Sequence, residues 1–445
     1  MIESEIITFN YPGGEIQRVQ KIVLDSWSQF GFITPAYSER SFDRLCDLYE
    51  NYIIPKCPWI FGRLILFRVP DDMDVPFPFS SERYGTVSDK LTAAAIALRH
   101  GVVIIGRRPV FMTDAVRSFW KALEMRNCIR VVCGCLPNTT VLPVGNCSGF
   151  LSECEPEAAV KTNSSFFIMD RFDCASVYDS IGSTIGLLVK DGFVINPPMY
   201  MREALIIRND GSCSIEVPRL SDLSIEINDA LIDKRLSRIY TRPAFRITHA
   251  HKGTDIVVTG SKVTAVNNGG STFVPSSGFV ISVSKTDAAP GDTVVYQGYE
   301  EVAFGIQAGN SAVINGQKTT GFRSPFYNIK KLWSTSYPPS LYPLDYKKDR
   351  APRMVIGEDS SGRPVMIWAE GAGKLRYLPG ADSCGASLSE MSEICLKLGL
   401  VNAINLDGGG SSQILVNNER SLMISDRKPD NSEAERAVPT GLIIK

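Results

Sequence analysis

The sequence predicts an α+β protein in which a small α/β domain, residues 1–155, precedes a larger mixed-sheet domain, residues 156–445. Three observations favour this division. Before about residue 155, apolar residues at helical spacing alternate with short apolar runs. After it, short strand-like runs recur with turn signals between them. The stretch 136–157 between them turns to Pro, Gly, Asn and acidic residues, which indicates a domain boundary.

Composition places the chain among ordinary globular proteins and excludes several function classes. Its 445 residues are 44% hydrophobic and 21% charged, enough for two or three domains with substantial cores. The formal net charge is −1 and no long basic or acidic run occurs, so neither nucleic acid nor an anionic membrane is an expected partner. No apolar run reaches the length of a membrane span, and no internal repeat is visible.

The cysteines and the N-terminus both indicate a reducing compartment. Eleven cysteines are scattered without a C-x-x-C pair, which is typical of free thiols rather than a disulfide framework. Residues 1–5 are acidic and lack the basic-then-apolar pattern of a signal peptide. We therefore expect a cytoplasmic protein.

The sequence predicts no metal site and no cofactor. A cysteine cluster occurs, but its spacings fit no standard zinc pattern, so buried thiols are the expectation. His249 and His251 alternate on a predicted strand and would face the same way, as a two-histidine metal site or as a hydrogen-bonded structural pair. The clustered cysteines are Cys128, Cys133, Cys135, Cys147 and Cys154.

The first 155 residues contain three predicted helices and two predicted strands, but no catalytic motif. Their apolar faces predict a packed core, and a docking or assembly role is the hypothesis for this domain. The helices are predicted from Ile16, Val19, Val23 and Trp27, from Ser88–His100, and from Val116, Phe119, Trp120 and Leu123; the strands are Val102–Ile105 and Ile129–Val132.

Beyond residue 156 the pattern is mostly β. Asp-Gly and Asn-Asp-Gly between apolar runs indicate hairpins. A segment rich in Tyr, Pro and Lys, residues 333–353, indicates a long loop, and such loops are often functional. The predicted strands are Gly186–Lys190, Ala204–Arg208, Ile256–Thr259, Phe279–Val283 and Thr293–Tyr296.

The most informative stretch is 405–412, Asn-Leu-Asp-Gly-Gly-Gly-Ser-Ser, which lies between two predicted buried strands, 401–404 and 413–416. A carboxylate leaves one strand, and the glycines that follow allow a close backbone approach and an anion-binding nest. Upstream, Ser387 and Glu390 predict a capped helix that ends near Gly399. The alternative is a hairpin turn without chemistry.

Common catalytic motifs are absent elsewhere. Residues 182–186 have threonine where G-x-S-x-G needs serine, and residues 316–319 break the phosphate-loop pattern. An acid, a glycine nest and arginines remain.

From residue 155 onward, the chain resembles the phosphodiester glycosidase family. The specific match is the string 403–412, Ala-Ile-Asn-Leu-Asp-Gly-Gly-Gly-Ser-Ser. Supporting matches are residues 353–357, 388–391 and 435–439, together with Asn-Ser-Ser-Phe-Phe at 163–167 and the hairpin at 186–192. The family implies hydrolysis of a sugar–phosphate diester on its glycosidic side. Because phosphate is a weakly basic leaving group, cations and N–H donors matter more there than a strong acid.

The resemblance also implies roles for individual residues. Asp407 would be the catalytic carboxylate, as nucleophile or base. Asn163 would hydrogen-bond the sugar or orient the acid. Arg353 and Arg436 would clamp the phosphate, and the alternative for each arginine is a surface or interface ion pair. Glu390 is expected to cap its helix, and Glu435 is expected to be solvated. The residues that would bind substrate are Asn163, Arg353, Gly408, Gly409, Gly410, Ser411 and Arg436.

Two departures from the family pattern leave other functions open. Ser164 and Ser165 replace a glycine pair, and with Asn163 they form a glycosylation sequon that would block the site outside the cytoplasm. The unmatched N-terminal region favours a second hypothesis, a structural or assembly protein such as a virus-particle subunit. A third is a phosphosugar- or glycan-binding module without catalysis.

Overall fold

A computed structural model gives the fold of the protein. Short strands between residues 64 and 142 are described by their backbone pairing alone. The structure describes residues 2–33, 64–65, 103–105, 131–133, 140–142, 150–168, 178, 183–198, 202–242, 245–319, 350–372, 377–427 and 432–444.

A seven-stranded antiparallel sheet, the large sheet, forms the centre of the fold. It combines strands from the two ends of the chain. Strands are numbered in chain order, and the spatial order is β1 (Ile2–Asn10), β2 (Ile16–Leu24), β24 (Pro364–Ala369), β23 (Arg353–Asp359), β25 (Leu400–Asn405), β21 (Ser311–Ile314) and β22 (Gln317–Lys318).

Strand β2 corrects the helix predicted from Ile16, Val19, Val23 and Trp27. The segment pairs with β24 along Val19–Val23, and apolar residues point to both of its faces. Ile22 packs in the core on one side of the sheet, whereas Val19 and Val23 pack on the other. Burial on both faces removes the period-two pattern, so apolar spacings of three and four arose without a helix.

A four-stranded antiparallel sheet, the second sheet, covers one face of the large sheet. It too combines the two chain ends. Residues 2–33 therefore share sheets with residues 353–444, and the predicted boundary near 155 does not separate them. The strands, in spatial order, are β26 (Ile414–Val416), β8 (Val160–Asn163), β27 (Gly441–Ile444) and β3 (Phe30–Ile33).

The main hydrophobic core lies between these two sheets. Trp368 and Ile356 from the large sheet pack in the same cluster as Ile414 and Leu442 from the second sheet, and all four are fully buried. Burying such a side chain stabilises the fold by about 1.5–3 kcal/mol relative to leaving it in water. The two sheets are therefore held at a fixed separation, and a residue between them is positioned by both.

Helix α1 (Leu388–Lys397) covers the opposite face of the large sheet, where Met391, Ile394 and Cys395 pack against its strands. The predicted capping box is confirmed, since Ser387 accepts from the Glu390 N–H and Glu390 accepts from the Ser387 N–H. Gly399 follows the helix with φ +88°, the left-handed conformation expected after a C-cap.

Three further antiparallel sheets form a β-rich region between residues 188 and 307. The predicted hairpin at Asp191-Gly192 is confirmed, and both turn residues have positive φ, as a type I′ turn requires. A second core joins these sheets. The strands are β10 (Phe193–Asn196), β9 (Leu188–Lys190), β20 (Val302–Gln307), β11 (Ala204–Arg208) and β12 (Cys213–Glu216); β14 (Ala230–Leu231), β13 (Ser224–Ile227) and β19 (Val294–Gln297); and β15 (Arg238–Thr241), β18 (Gly278–Val283), β16 (Thr254–Thr259) and β17 (Lys262–Asn268).

A small sheet between residues 64 and 142 contains one parallel pair, β5 with β6, flanked by antiparallel neighbours. Its two inner strands confirm those predicted at 102–105 and 129–132. The helices predicted at 88–100 and 116–123, and nearly all of the loop 333–353, lie outside the described residues. The strands are β4 (Leu64–Ile65), β5 (Val103–Ile105), β6 (Val131–Cys133) and β7 (Thr140–Leu142).

The architecture confirms the predicted α+β class in a β-rich form, with antiparallel sheets dominating beyond residue 150. In the part of the chain that the structure describes, no helix is long and apolar enough to cross a membrane.

Candidate active site

Asp407 lies where the chain crosses from the large sheet to the second sheet. Strand β25 ends at Asn405 and β26 begins at Ile414, in a different sheet, so the connection is not the hairpin considered as an alternative. The Asp407 N–H donates to the carbonyl of Ser164 (3.0 Å), and the residue is 8% exposed. Both sheets therefore hold a nearly buried carboxylate at their junction.

Asn163, at the end of β8, fixes the backbone on both sides of the glycine turn. Its side-chain Nδ2 donates to the Asp407 carbonyl (2.7 Å), and its Oδ1 accepts from the Gln413 N–H (3.2 Å). The residue is 1% exposed. Its amide thus orients the acid through the backbone, and the same hydrogen bond occupies the nitrogen that a glycan would need.

The glycine turn forms a 3₁₀ turn over Gly409–Ser411, with Gly409 at φ +61°. Gly409 donates its N–H to the carbonyl of Pro352 (2.9 Å), and the N–H groups of Ser411 and Ser412 bond to carbonyls within the turn. The predicted anion nest is therefore smaller than three consecutive glycines suggest. Within the described residues, the N–H groups of Gly408 and Gly410 donate no hydrogen bond to a backbone carbonyl.

Arg353, the first residue of β23, lies beside Gly408. Its Nε donates to the carbonyl of Ala386 (2.9 Å), and the residue is 6% exposed. A Cβ atom added to Gly408 would lie 3.8 Å from the Arg353 Nη1 and 3.0 Å from the Pro352 carbonyl oxygen. A buried cation therefore borders the turn that carries the carboxylate.

Arg436 packs directly on Gly410 and forms an ion pair with Asp426. Its Nε and Nη2 approach the same oxygen, Asp426 Oδ2, at 2.9 and 2.8 Å. A Cβ on Gly410 would overlap both the Arg436 guanidinium and the Asp426 carboxylate. The ion-pair alternative considered from the sequence is thus present. Arg436 nevertheless lies against the glycine turn at Gly410, and its predicted role as a phosphate-binding residue stays a prediction.

Buried polar groups without partners surround this turn. The hydroxyls of Ser165, Ser411 and Ser412 and the Nε2 of Gln413 have no hydrogen-bond partner among the described residues, although all four residues are at most 3% exposed. Buried polar atoms are normally satisfied by protein or ordered water. Such a concentration beside a carboxylate is typical of a ligand site.

The two serines that replace the glycine pair behave differently. Ser164 donates its hydroxyl to Thr440 Oγ1 (2.9 Å), while its carbonyl accepts from Asp407. Ser165 leaves its buried hydroxyl unpaired within the described residues. The substitution therefore adds one hydroxyl that contacts neighbouring protein and one that is available to a ligand.

Two further residues were not identified from the sequence: Asp426, which lies against Gly410, and Arg202, which packs on the residue after Ser165. The Arg202 guanidinium lies 5.2 Å from the centre of the Phe166 ring, and its Nε donates to the carbonyl of Ala308 (2.5 Å). Phe166 directly follows Ser165. Neither residue belongs to a recognisable motif, so no local signal could have identified them.

The two nearby glutamates have structural roles. Glu390 caps α1 and binds Arg350 (2.6 Å); burial alone would raise its pKa, but hydrogen bonds from Arg350 and Ser387 lower the pKa below its ordinary value. Glu435 was expected to be solvated, which is wrong. Its carboxylate accepts from the N–H and hydroxyl of Ser152 at 3.0 and 2.6 Å, and its side chain is 5% exposed.

The described residues contain no group of three or more His, Cys, Asp or Glu side chains that could hold a metal ion. Burial raises the pKa of the Cys154 thiol to about 11, although the residue is only half-buried. Cys133 lies in β6, which is described by its backbone alone, and Cys128, Cys135 and Cys147 lie outside the described residues. His249 and His251 do not lie on the predicted strand. His251 instead hydrogen-bonds Asp255 (2.8 Å), and His249 contacts the Tyr240 and Phe245 rings.

These observations define the class of protein. It has a β-rich fold with a carboxylate and a glycine turn at the junction of two sheets. The resemblance to the phosphodiester glycosidase family is confirmed for residues 241–445, which match that family. Asp407, Arg353 and Arg436 all lie within the matched region. The resemblance inferred for residues 155–240 lies outside it.

Three curated relatives carry the name N-acetylglucosamine-1-phosphodiester α-N-acetylglucosaminidase. Over 79 residues, this chain is 40% identical to the human protein and 38% identical to the bovine one. The mouse protein is 35% identical over the same length. Each alignment covers 18% of this chain and 14% of the relative, so the likeness spans a small part of either protein.

Solved structures also show similarity at low identity. The zebrafish N-acetylglucosamine-1-phosphodiester α-N-acetylglucosaminidase catalytic domain, auto-inhibited by its pro-peptide, aligns at 11% identity and a TM-score of 0.39, covering 100% of this chain and 82% of that one. A hypothetical protein from Synechocystis aligns at 15% identity and a TM-score of 0.42, covering 100% of this chain and 62% of that one.

Proposed function

We propose that this chain hydrolyses a sugar–phosphate diester at its glycosidic bond, releasing the sugar and a phosphomonoester. The observation that carries the proposal is the placement of Asp407. A nearly buried carboxylate sits at the junction of two sheets, beside a glycine turn bordered by the guanidinium groups of Arg353 and Arg436. The family match over residues 241–445 supports the same reaction.

In this mechanism Asp407 acts at the anomeric carbon, either as the nucleophile or as the base that activates water. The bond between the anomeric carbon and the phosphate oxygen breaks, and the phosphate leaves with the electron pair. Arginine guanidinium groups suit this anion because their planar N–H donors match phosphate oxygens. Arg353 and Arg436 would bind the leaving phosphate, and the N–H groups of Gly408 and Gly410 would supply further donors.

The unpaired hydroxyls of Ser165, Ser411 and Ser412 are suited to bind sugar or phosphate oxygens. Because the curated relatives are named for N-acetylglucosamine 1-phosphodiesters, compounds of this kind head the substrate panel. Glucose and mannose 1-phosphodiesters complete the panel and test which sugar fits.

The test compares wild type with Asp407→Asn on this panel, following release of free sugar. Loss of the carboxylate charge should reduce turnover by about a thousand-fold or more, while the circular dichroism spectrum stays unchanged. Asp210→Asn is the matched control, because Asp210 lies in the exposed turn between β11 and β12. Turnover by Asp407→Asn at the wild-type rate, or no turnover by folded wild type on any sugar, would contradict the proposal.

We further propose that the reaction takes place in a reducing compartment. Among the described residues, Cys154, Cys213, Cys384 and Cys395 are free thiols. Alkylation of protein denatured directly from its native source should label these four cysteines without prior reduction. Labelling that requires a reductant would contradict this location.

A further inference from the structure

A second polar site lies on the sheet formed by β15, β18, β16 and β17, here called the cleft sheet. An open cleft of about 470 Å³ lies on this sheet and the segments beside it, and none of its lining residues belongs to the Asp407 site. The polar and aromatic lining residues used below are Arg235, Arg238, Tyr240, His249, His251 and Ser282.

Strand register explains why these side chains share one face. Arg238 on β15 pairs with Ser282 on β18, and Ser282 pairs with Asp255 on β16. Directly paired residues point to the same side of a sheet, and so does every second residue along a strand. Tyr240 therefore joins Arg238 on the cleft face, whereas Ile239 points the opposite way and packs against the core shared with the neighbouring sheets.

Arg238 is held over aromatic rings with its donors exposed. Its guanidinium carbon lies 5.0 Å from the Tyr240 ring centre and 5.5 Å from that of Phe245. His249 contacts both rings edge-on, at 5.6 and 5.8 Å between centres. Stacking fixes the plane of a guanidinium without using its N–H groups, so the group is pre-oriented for an oxyanion.

Neither arginine has a carboxylate partner among the described residues. Arg235 and Arg238 are both exposed and form no ion pair there, in contrast to Arg350 and Arg436. The Asp233 carboxylate accepts the backbone N–H of Arg235 (2.8 Å), and no ion pair between the two side chains is present in the described part of the chain. Two positive charges therefore line one side of the cleft, and no carboxylate of the described residues forms an ion pair with either guanidinium.

Asp255, the acidic residue beneath the cleft, is buried, and its carboxylate oxygens are occupied by hydrogen bonds from neighbouring side chains. Asp255 is fully buried, and its oxygens accept from Thr248 (2.5 Å), Ser282 and His251 (2.8 Å). His251 accepts the Gly253 N–H at Nδ1 (2.9 Å), so the proton of its neutral ring is on Nε2 and is donated to Asp255. The carboxylate thus holds the cleft together without facing an incoming anion.

We propose that this cleft binds the phosphate or sulfate group of an anionic ligand through Arg235 and Arg238, independently of Asp407. Charge-assisted bonds to the two guanidinium groups would hold the oxyanion, and the flanking aromatic and histidine rings would contact the group attached to it. The site requires no hydrolysis of its ligand, and its loss leaves the chemistry at Asp407 unchanged.

Histidine NMR provides a local readout, because the chain has three histidines and two of them line the cleft. The signals of ring-labelled full-length protein are assigned with His249→Gln and His251→Gln. Inorganic phosphate, sulfate and glucose 1-phosphate are then titrated separately, at fixed pH and constant ionic strength. Saturable shifts of the His249 or His251 signals are expected with at least one probe. Tighter binding of glucose 1-phosphate than of inorganic phosphate would assign the site to sugar phosphates, and equal binding to free anions.

The decisive comparison removes two charges inside the cleft or two outside it. Arg235→Gln with Arg238→Gln should weaken the dissociation constant about ten-fold or more. Arg219→Gln with Lys285→Gln removes the same charge from exposed positions that do not line the cleft and should leave binding within two-fold. Absence of saturable shifts with all three probes, or equal weakening in both double variants, would overturn the proposal. Asp407→Asn should bind all probes at the cleft as wild type does, so this result is separable from the hydrolysis test.

Discussion

In our proposals both the Asp407 site and the cleft bind oxyanions, but the groups that form the two sites differ in burial and in what holds them. At Asp407 most of the groups are buried and held by backbone contacts, and the missing side chain of Gly410 makes room for the Arg436 guanidinium. In the cleft, exposed arginines lie on one strand and on the segment before it, and a buried carboxylate binds Ser282 and His251 beside them. The difference is that one site depends on close packing, whereas the other depends on charge.

This contrast predicts different responses to mutation. A change of one methyl group should disable the buried site, because neighbouring backbone and guanidinium groups leave no space. The exposed site should tolerate changes of size and respond to changes of charge. The four predictions below test that difference, from the largest expected effect to the smallest.

Gly410→Ala should give the largest effect. The new methyl group would overlap the Arg436 guanidinium, so the turn and the cation must move apart. We expect a loss of about a hundred-fold in kcat/KM, since small misplacements carry such penalties, and about 1–3 kcal/mol of stability. Steady-state kinetics and denaturant unfolding measure the two effects.

Gly362→Ala is the control for that substitution. Gly362 has φ +79° in a turn with open space around its Cβ position, so alanine adds backbone strain of about 1 kcal/mol without touching the site. Equal kinetic losses in the two variants would show that the close approach of Arg436 to Gly410 is unimportant.

Asp255→Asn should destabilise the cleft sheet by about 2 kcal/mol, because an amide cannot accept from every donor around it. Burial by itself would raise the Asp255 pKa, but hydrogen bonds from Ser282, Thr248 and His251 lower it below its ordinary value. A lowered folded-state pKa contributes stability above the unfolded pKa of about 4, and that stability is lost as pH falls through the folded value.

Unfolding measured between neutral and acid pH checks this sign. Wild type should lose stability on acidification, and the difference from Asp255→Asn should shrink at low pH. Hydrolysis by the folded variant should stay at the wild-type rate at neutral pH. A constant difference across pH would contradict the assigned pKa direction, and a loss of hydrolysis would contradict the independence of the two sites.

Arg436→Lys should reduce kcat/KM about ten-fold. Lysine retains the charge but lacks the planar fork that spans Asp426 and the glycine turn. Asp426→Asn serves as the companion variant, since it keeps the guanidinium and removes the negative charge that pairs with it. If Arg436→Lys were fully active, the arginine would be a structural ion pair and not a phosphate ligand.

The smallest effects should separate the two adjacent serines. Ser165→Ala should raise KM by about five-fold without changing stability, because its buried hydroxyl has no partner among the described residues and a neutral hydrogen bond contributes about 1 kcal/mol. Ser164→Ala should instead lower stability by about 1 kcal/mol at unchanged KM, since its hydroxyl binds Thr440. The reverse pattern would show that Ser164 contacts the substrate.

Local signals predicted local structure well. The capping box of α1, the Asp191-Gly192 hairpin and the strands on either side of the glycine turn follow from neighbouring residues, and the structure confirms them. Prediction was wrong at β2, where tertiary pairing buries both faces of a strand and produces helix-like spacing. The expectation that Glu435 is solvated was also wrong, because its partners Ser152 and Arg420 are not its neighbours in the sequence.

The sequence by itself determined the acid, the glycines and the arginines, because their chemistry is a property of residue type and spacing. Tertiary structure alone decided which of them meet. Strands from both chain ends pair in the large and second sheets, which places Asn163 and Ser164 against Asp407 across 244 and 243 residues of sequence. The cleft is an even clearer case. Strand register aligns Arg238 with Ser282 and Ser282 with Asp255, and register is set by long-range pairing that no local pattern contains.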